Sequence, residues 1–311
     1  MYIDKPFLTI FTPTYNRSHT LDRVYQSLTN QTCMDFEWVV IDDGSTDNTS
    51  ELVQSWIESA LFPIRYRVQQ NSGKHIAWNL AVSMSQGIYF MCLDSDDELC
   101  PNAVQVLHGD LHPKRGTDSE VASRAFLLLD SQGQKFGSDL GDVDLSKCFS
   151  QLVYEKKLPS DVWIVFLLEK IKRFPFPEKY KKVYFPEGFV ISAFDKEYPI
   201  QFHHNQRLGI YHRDLNDKAS NANSVTFKNL RTGSAVTLSM MHLGHLNYNM
   251  RFFGKYPVKI MVHAIHYIRF RLYTEDRTSN MIREINNIPG KLVALIASIP
   301  GAIAYVIDKV R

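Results

Sequence analysis

The sequence predicts an α/β fold, a mostly parallel sheet flanked by helices, with a helical appendage at the C-terminal end. Three observations carry this. Short apolar runs alternate with helical patterns through the first hundred residues, which implies parallel strands joined by right-handed crossovers. Each of three runs closes on a polar cluster, where ligands bind in such sheets. Beyond residue 215 the alternation stops and basic, aromatic and apolar helical stretches take over.

The elements follow in order. Phe7-Leu8-Thr9-Ile10-Phe11 reads as a strand and runs into Thr12-Pro13-Thr14-Tyr15-Asn16-Arg17. A helix follows, apolar at Leu21, Val24, Tyr25 and Leu28. Val39-Val40-Ile41 is the second run and ends in Asp42-Asp43-Gly44-Ser45. Its helix is apolar at Leu52, Val53, Trp56 and Ile57, with Asp47 as a candidate N-cap. Residues 64–68 read as a strand, and 73–82 as a loop entering a helix. Ile88-Tyr89-Phe90-Met91-Cys92-Leu93 is the third run and leads into Asp94-Ser95-Asp96-Asp97, with a helix expected near Pro101. Residues 121–129 form another strand and 130–133 a turn. The stretch 131–158 is polar and includes a surface loop. Residues 162–174 read as an apolar helix ending at Pro175, its Trp163 and Phe166 facing the core rather than a sugar. The domains expected are 1–215 and 216–311.

Composition narrows the classes. Apolar residues make up 44% of 311, enough for a substantial core. A net charge of +2 makes no case for nucleic acid. The four cysteines form no C-x-x-C pair, which favours reduced thiols and a cytoplasmic address. The first six residues do not resemble a signal peptide.

The acidic quartet is the most informative motif. In an extended chain residues i and i+2 share a face, so Asp94 and Asp96 would point the same way. Two close carboxylates repel unless a cation joins them, and oxygen ligands suit Mg2+ or Mn2+. The alternative is a helix N-cap supplied by Asp96 or Asp97.

Taken together, these motifs resemble a family 2 glycosyltransferase with the GT-A nucleotide-sugar fold. The resemblance rests on 12–17, on Asp42-Asp43-Gly44-Ser45-Thr46-Asp47, on Asn71-Ser72-Gly73-Lys74 with Asn79, and on Asp94-Ser95-Asp96-Asp97. It covers the first 110 residues well and reaches more weakly to about 215. It implies an inverting, metal-dependent hexosyl- or N-acetylhexosaminyl-transferase. A sugar would pass from a UDP-sugar donor to a glycan or lipid-linked glycan in surface polysaccharide synthesis.

The resemblance also implies roles. Thr12, Pro13, Tyr15, Arg17, Asp42, Asp43, Gly73, Lys74, Asn79, Asp94 and Ser95 would hold the nucleotide-sugar, and Asp94, Asp96 and His212 the Mn2+ or Mg2+ ion. Arg17 could instead be a solvated charge and Lys74 an exposed loop lysine. An acceptor hydroxyl needs a base. Glu187 is the candidate, at the corresponding helix start, although many members carry an acidic pair where this chain has Glu then Gly. Glu187 could instead serve the helix dipole alone. Asp161 is the reserve.

His242-x-x-His245 lacks a partner at zinc spacing within the sequence and is set aside. Residues 251–283 hold seven Lys or Arg against two acids, with aromatics interleaved. Residues 292–307 are apolar but interrupted by Pro300, 16 residues against the ~20 of a bilayer span. Two readings stay open for 251–311: peripheral contact with the cytoplasmic membrane, or packing on the catalytic domain or a second subunit. A catalytically silent nucleotide-sugar or glycan binding protein is the other functional class. A nucleotidyltransferase is disfavoured, because no Gly-rich phosphate loop stands near the N-terminus.

Overall fold

The structure is a computed structural model that describes residues 5–111, 121–136, 147–155, 162–212, 232–274 and 278–310. In chain order the elements are β1 (Leu8–Thr14), α1 (Ser18–Thr29), β2 (Phe36–Asp42), α2 (Thr49–Ser59), β3 (Ile64–Val68), α3 (Lys74–Met84), β4 (Tyr89–Cys92), β5 (Glu98–Leu99) and α4 (Ala103–Leu111). Then come β6 (Ser123–Asp130), α5 (Phe149–Glu155), β7 (Trp163–Leu167), α6 (Leu168–Ile171), α7 (Gly188–Glu197) and β8 (Gln201–Tyr211). The last four helices are α8 (Thr232–Tyr248), α9 (Pro257–Leu272), α10 (Thr278–Glu284) and α11 (Ile288–Val310).

Two compact units emerge. The first takes Met1–Phe149, Lys156–Glu178 and Tyr198–Leu215, and the second Ser150–Glu155, Lys179–Glu197 and Asn216–Arg311. Segments 150–155 and 179–197 therefore join the C-terminal hundred residues, so no single point in the sequence separates the units.

The first unit holds an eight-stranded sheet in the order β3-β2-β1-β4-β7-β6-β8-β5. Strands β3, β2, β1 and β4 run parallel. Antiparallel pairing appears at β4–β7, β7–β6 and β8–β5. The central strands are covered on both faces, so β1 and β2 are buried along nearly their whole length. Pro13 is tolerated in β1 because pairing with β4 has already ended at Phe11. On the helical side, Leu21, Val24 and Leu28 of α1 and Val53 and Trp56 of α2 enter the core. Both helices face largely as their periodicity predicts, but Ile57 is exposed and the N-cap position of α2 is Asn48 rather than Asp47.

Glu37 is fully buried in β2. It accepts from Thr9 Oγ1 at 2.7 Å, Arg65 Nε at 2.7 Å and the Gln86 N–H at 2.5 Å. A buried carboxylate is tolerable only with such partners. Here they tie β1, β3 and the turn before β4 to β2.

One predicted helix is corrected. Residues 162–174 divide into strand β7 and the single turn α6. A continuous apolar run cannot be told from a buried strand by periodicity alone. Trp-Ile-Val-Phe-Leu is β-branched and aromatic, and it finds partners in β4 and β6. Trp163 and Phe166 are core residues, as expected.

In the second unit α9 packs on α8 and on α11. Asp195, fully buried in α7, accepts from the Ser150 N–H at 3.0 Å and from Arg251 at 3.1 Å. A second correction falls here, because Pro300 does not end the apolar helix. Helix α11 runs 23 residues with Pro300 inside it. An interior proline costs about 3 kcal/mol in a helix. Buried Val293, Ala294, Ala297 and Gly301 offset that cost through packing, and a Cβ on Gly301 would lie 2.8 Å from Ile268 Cβ.

Candidate active site

The parallel strands present their carboxyl ends together. Thr14 lies in register with Asp42, Asp42 with Val68, and Phe11 with Cys92. The polar clusters after β1, β2 and β4 therefore meet at one sheet edge. Hydrogen bonds lock them to each other. The Asp43 N–H donates to Thr14 O at 2.8 Å, and the Asn16 N–H to Ser45 Oγ at 2.8 Å. The Thr46 N–H donates to Asn16 Oδ1 at 2.7 Å, and Asn16 takes a left-handed φ of 52° to allow it. Trp38 Nε1 fixes Thr12 Oγ1 at 2.9 Å. Asp47 accepts from the first N–H of α1 (Ser18, 3.0 Å) and of α2 (Thr49, 3.2 Å), so one carboxylate serves two helix N-termini.

Asp42 and Asp43 are tied down by protein groups. Asp42 accepts from the Ser45 N–H at 2.7 Å and from Tyr66 Oη at 2.6 Å. Asp43 accepts from Gln69 Nε2 at 2.8 Å and from the N–H groups of Ser72 at 2.7 Å and Gly73 at 2.8 Å. Asp43 thus folds the loop that delivers Lys74. Gly73, at φ 102°, holds a backbone that a side chain would strain.

The acidic quartet is a turn, not an extended segment. The Asp97 N–H bonds Asp94 O at 3.2 Å, so the i, i+2 premise does not apply. Asp94 and Asp96 are partly exposed, and Ser95 and Asp97 are buried. The helix-cap alternative is not what forms, since the Ala103 N–H at the start of α4 bonds Cys100 O. Burial and the Asp94 charge push the Asp96 carboxyl above its ordinary value. Burial, followed by Asp94, pushes Asp97 up to about 8, although the His212 N–H opposes this. The turn is therefore a place where negative charge is crowded and where a cation would relieve it.

Two cations of the chain already approach it. Lys74 Nζ lies 2.5 Å from Asp94 Oδ1, and Arg17 NH1 3.4 Å from Asp96 Oδ2. Neither is a solvated surface charge. Arg23, which sequence reasoning missed, donates to Asp96 O at 2.7 Å. Tyr66 and Gln69 were missed too; nothing local marks them, because their partners lie 24 and 26 residues away. Tyr15 stands 43% exposed at the same edge, where its ring is open to a flat ligand, and Pro13 is half-buried beside it.

Other expected residues stand differently. Asn79 forms a two-point clamp on the Phe176 backbone, donating to its O and accepting from its N–H, both at 2.9 Å. That side chain braces the fold. His212 does sit beside the quartet, its N–H 3.0 Å from Asp97 Oδ1, but its ring Nε2 faces Glu98 Oε1 at 2.7 Å. Glu187 belongs to the second unit, where its carbonyl accepts the Ile191 N–H and so opens α7. Asp161 lies outside the described residues.

Residues 9–114 match the family described as glycosyl transferase family 2. That match spans about a third of the chain. The matched segment runs from β1 to just past α4 and contains all three strand-end clusters. The chain is 41% identical over 102 residues to a chondroitin synthase of Escherichia coli, covering 32% of this chain and 15% of that protein. It is 27% identical over 191 residues to the GalNAc(5)-diNAcBac-PP-undecaprenol beta-1,3-glucosyltransferase of Campylobacter jejuni, covering 53% and 61%. The chain thus spans less than two thirds of either relative. A crystal structure of S. aureus TarS 1-349 with UDP-GlcNAc superposes at TM-score 0.62 and 14% identity, covering 94% of this chain and 88% of that one. That likeness establishes the GT-A fold.

Proposed function

We propose that this glycosyltransferase is an inverting enzyme that moves a sugar from a UDP-sugar to a hydroxyl of a glycan or lipid-linked glycan in surface polysaccharide synthesis. The observation that carries the reading is the crowded carboxylate turn at the end of β4, flanked by Lys74 and Arg17. The family match over residues 9–114 supports the reaction class. The names of the relatives, which include two polysaccharide or glycolipid-building enzymes, support the acceptor class.

A divalent ion fits this turn. Its donors are carboxylate oxygens, and the Asp96 carboxyl is raised first by burial and then by the Asp94 charge. Among the described residues no three His, Cys, Asp or Glu side chains form a ready ligand set. Mg2+ and Mn2+ bind through one or two carboxylates and complete their shell with substrate phosphates and water. Asp94 and Asp96 would hold the ion, which when bound supplies a Lewis acid beside the diphosphate. His212 would join them only by turning its ring from Glu98, so the proposal rests on the aspartates.

The chain's own groups do the rest. The Tyr15 ring offers a face to the base. Lys74 and Arg17 are placed to neutralise charge on the departing diphosphate. Asp42 and Asp43, both buried, hold the surrounding loops in place for the base and ribose. Glu187 takes the acceptor proton as the hydroxyl oxygen bonds to the anomeric carbon. The bond from that carbon to the β-phosphate oxygen breaks, and UDP leaves with the electron pair. Attack from the opposite face inverts the anomeric centre.

Helix α11 gives the proposal its location. Residues 288–309 are long and apolar enough to cross a membrane by length and composition, and 28% of that apolar window is buried. One side packs on α9, while Leu292, Leu295, Ile296, Ile299, Ile303 and Val306 are each more than half exposed. A helix packed on one side and bare on the other suits lying in the membrane interface. The enzyme would then work at the inner face of the cytoplasmic membrane.

Calorimetric titration of UDP, with GDP and CDP as controls, with and without Mn2+, tests the donor site. Metal-dependent UDP binding that vanishes in Asp96→Ala is expected; absence of any nucleotide binding would refute the reading. In the same protein Glu187→Gln should lower kcat by about 10²–10⁴ with UDP binding intact.

A further inference from the structure

The second unit contains a cleft of about 440 Å³ that the donor-site reading does not use. Its walls include Lys179, Tyr180, Arg271, Asn280, Arg283 and Glu284. Glu284 organises them. It accepts from Lys179 Nζ at 2.6 Å and Tyr180 Oη at 2.8 Å, and it pairs with Arg271 NH2 at 3.2 Å. Arg271 is buried, and Glu284 and the α9 helix hold its guanidinium in one place. Arg283 is exposed on the rim. Three cations against one carboxylate leave the walls positive, and a phenol and an amide add neutral hydrogen-bonding groups.

We propose that this cleft binds the diphosphate of a lipid-linked acceptor. The inference rests on the lipid-linked reading of the acceptor given above. Two guanidinium forks and an ammonium suit an anion with several oxygens, because arginine pairs with phosphate oxygens two at a time. The position in the chain selects the lipid. Arg283 and Glu284 precede α11 by only a few residues, and the bare apolar side of α11 begins at once, with Ile288 73% and Leu292 57% exposed. An isoprenoid tail would follow that side while its diphosphate reaches the basic cleft at headgroup level. The acceptor named for the Campylobacter relative is itself a diphosphate-linked polyprenol. The cleft would thus fix the acceptor end of the reaction, separately from the UDP site of the first unit.

Calorimetry on the full chain tests this with farnesyl diphosphate, farnesyl monophosphate, inorganic phosphate and UDP with Mn2+. Farnesyl diphosphate should bind best of the three lipid and phosphate probes. Arg283→Ala and Lys179→Ala should each weaken it by about tenfold, the loss of one charged hydrogen bond. UDP binding should not change in either variant. Arg283 is exposed, so its variant serves even if Lys179→Ala perturbs folding. Equal binding of farnesyl diphosphate by the variants, equal binding of inorganic phosphate, or displacement of farnesyl diphosphate by UDP would each overturn the proposal. Loss of UDP binding with farnesyl diphosphate still bound would refute the donor reading and leave this one standing.

Discussion

Lys74 Nζ lies 2.5 Å from Asp94 Oδ1, so the first residue of α3 reaches the turn that follows β4. The lysine sits where a divalent ion would compete with it and where a diphosphate would attract it. These two effects have opposite signs. Lys74→Met should therefore bind Mn2+ alone more tightly than the parent, and UDP with Mn2+ about tenfold more weakly. Titrating each ligand separately distinguishes them. A change in the same direction for both would place Lys74 outside the site.

Asp43 acts first as a loop anchor. Two backbone N–H groups, Ser72 and Gly73, donate to it, and Asp43 and Ser72 are both buried. Truncation leaves those donors without an acceptor, at roughly 1–3 kcal/mol each. Asp43→Ala should lower unfolding free energy by about 2–4 kcal/mol in urea titrations. An unchanged midpoint would mean the loop holds itself.

Four histidines meet between α8 and α9. His242 Nδ1 lies 2.9 Å from His263 Nδ1, the His245 and His263 rings stack at 3.7 Å, and His266 stacks on His242. Burial first, then the neighbouring rings, lowers His242 to about 2, His245 to about 3 and His263 to about 4, and His266 also lies below its ordinary value. Tyr154, Lys259 and Arg269 border the same cluster. The unfolded chain, with its histidines near 6.5, binds more protons than the folded one. Stability is therefore complete above about pH 6.5 and falls as pH drops toward 4, by up to about 1.4 kcal/mol per unit for each histidine. Thermal unfolding at pH 7 and pH 5 should show a lower Tm at pH 5. His263→Phe should reduce that difference, and a Tm independent of pH would rule the cluster out as its source.

The bare side of α11 predicts membrane binding. Leu295 is 61% and Ile299 74% exposed. Leu295→Glu with Ile299→Glu should release the protein from vesicles containing phosphatidylglycerol, read by co-sedimentation. The folded state should persist, since neither side chain is buried. Unchanged vesicle binding, with a change in molar mass by light scattering, would show instead that a second copy covers this face.

Much of the first unit was legible because its signals are local. Apolar runs of strand length, the polar residues that end them and the periodicity of α1 and α2 all lie within a few residues of each other. The register could be inferred only as far as the strands being parallel. The segment 162–174 was misread because an apolar run buried on every side has no period to betray it. Pro300 was misread because its cost is local while the packing that offsets it lies on α9.

The sequence by itself determined the alternating α/β architecture, the three clusters at the strand ends and the identity of the carboxylates, because these depend on residue type and short-range spacing. Only the tertiary structure decided which partners those groups take. It turned Asn79 toward Phe176, set Lys74 on Asp94, made a turn of the quartet and brought four histidines from two helices together. The physical reason is range. Hydrogen bonds and ion pairs act over about 3–4 Å of space, and residues that close in space can stand anywhere in the chain.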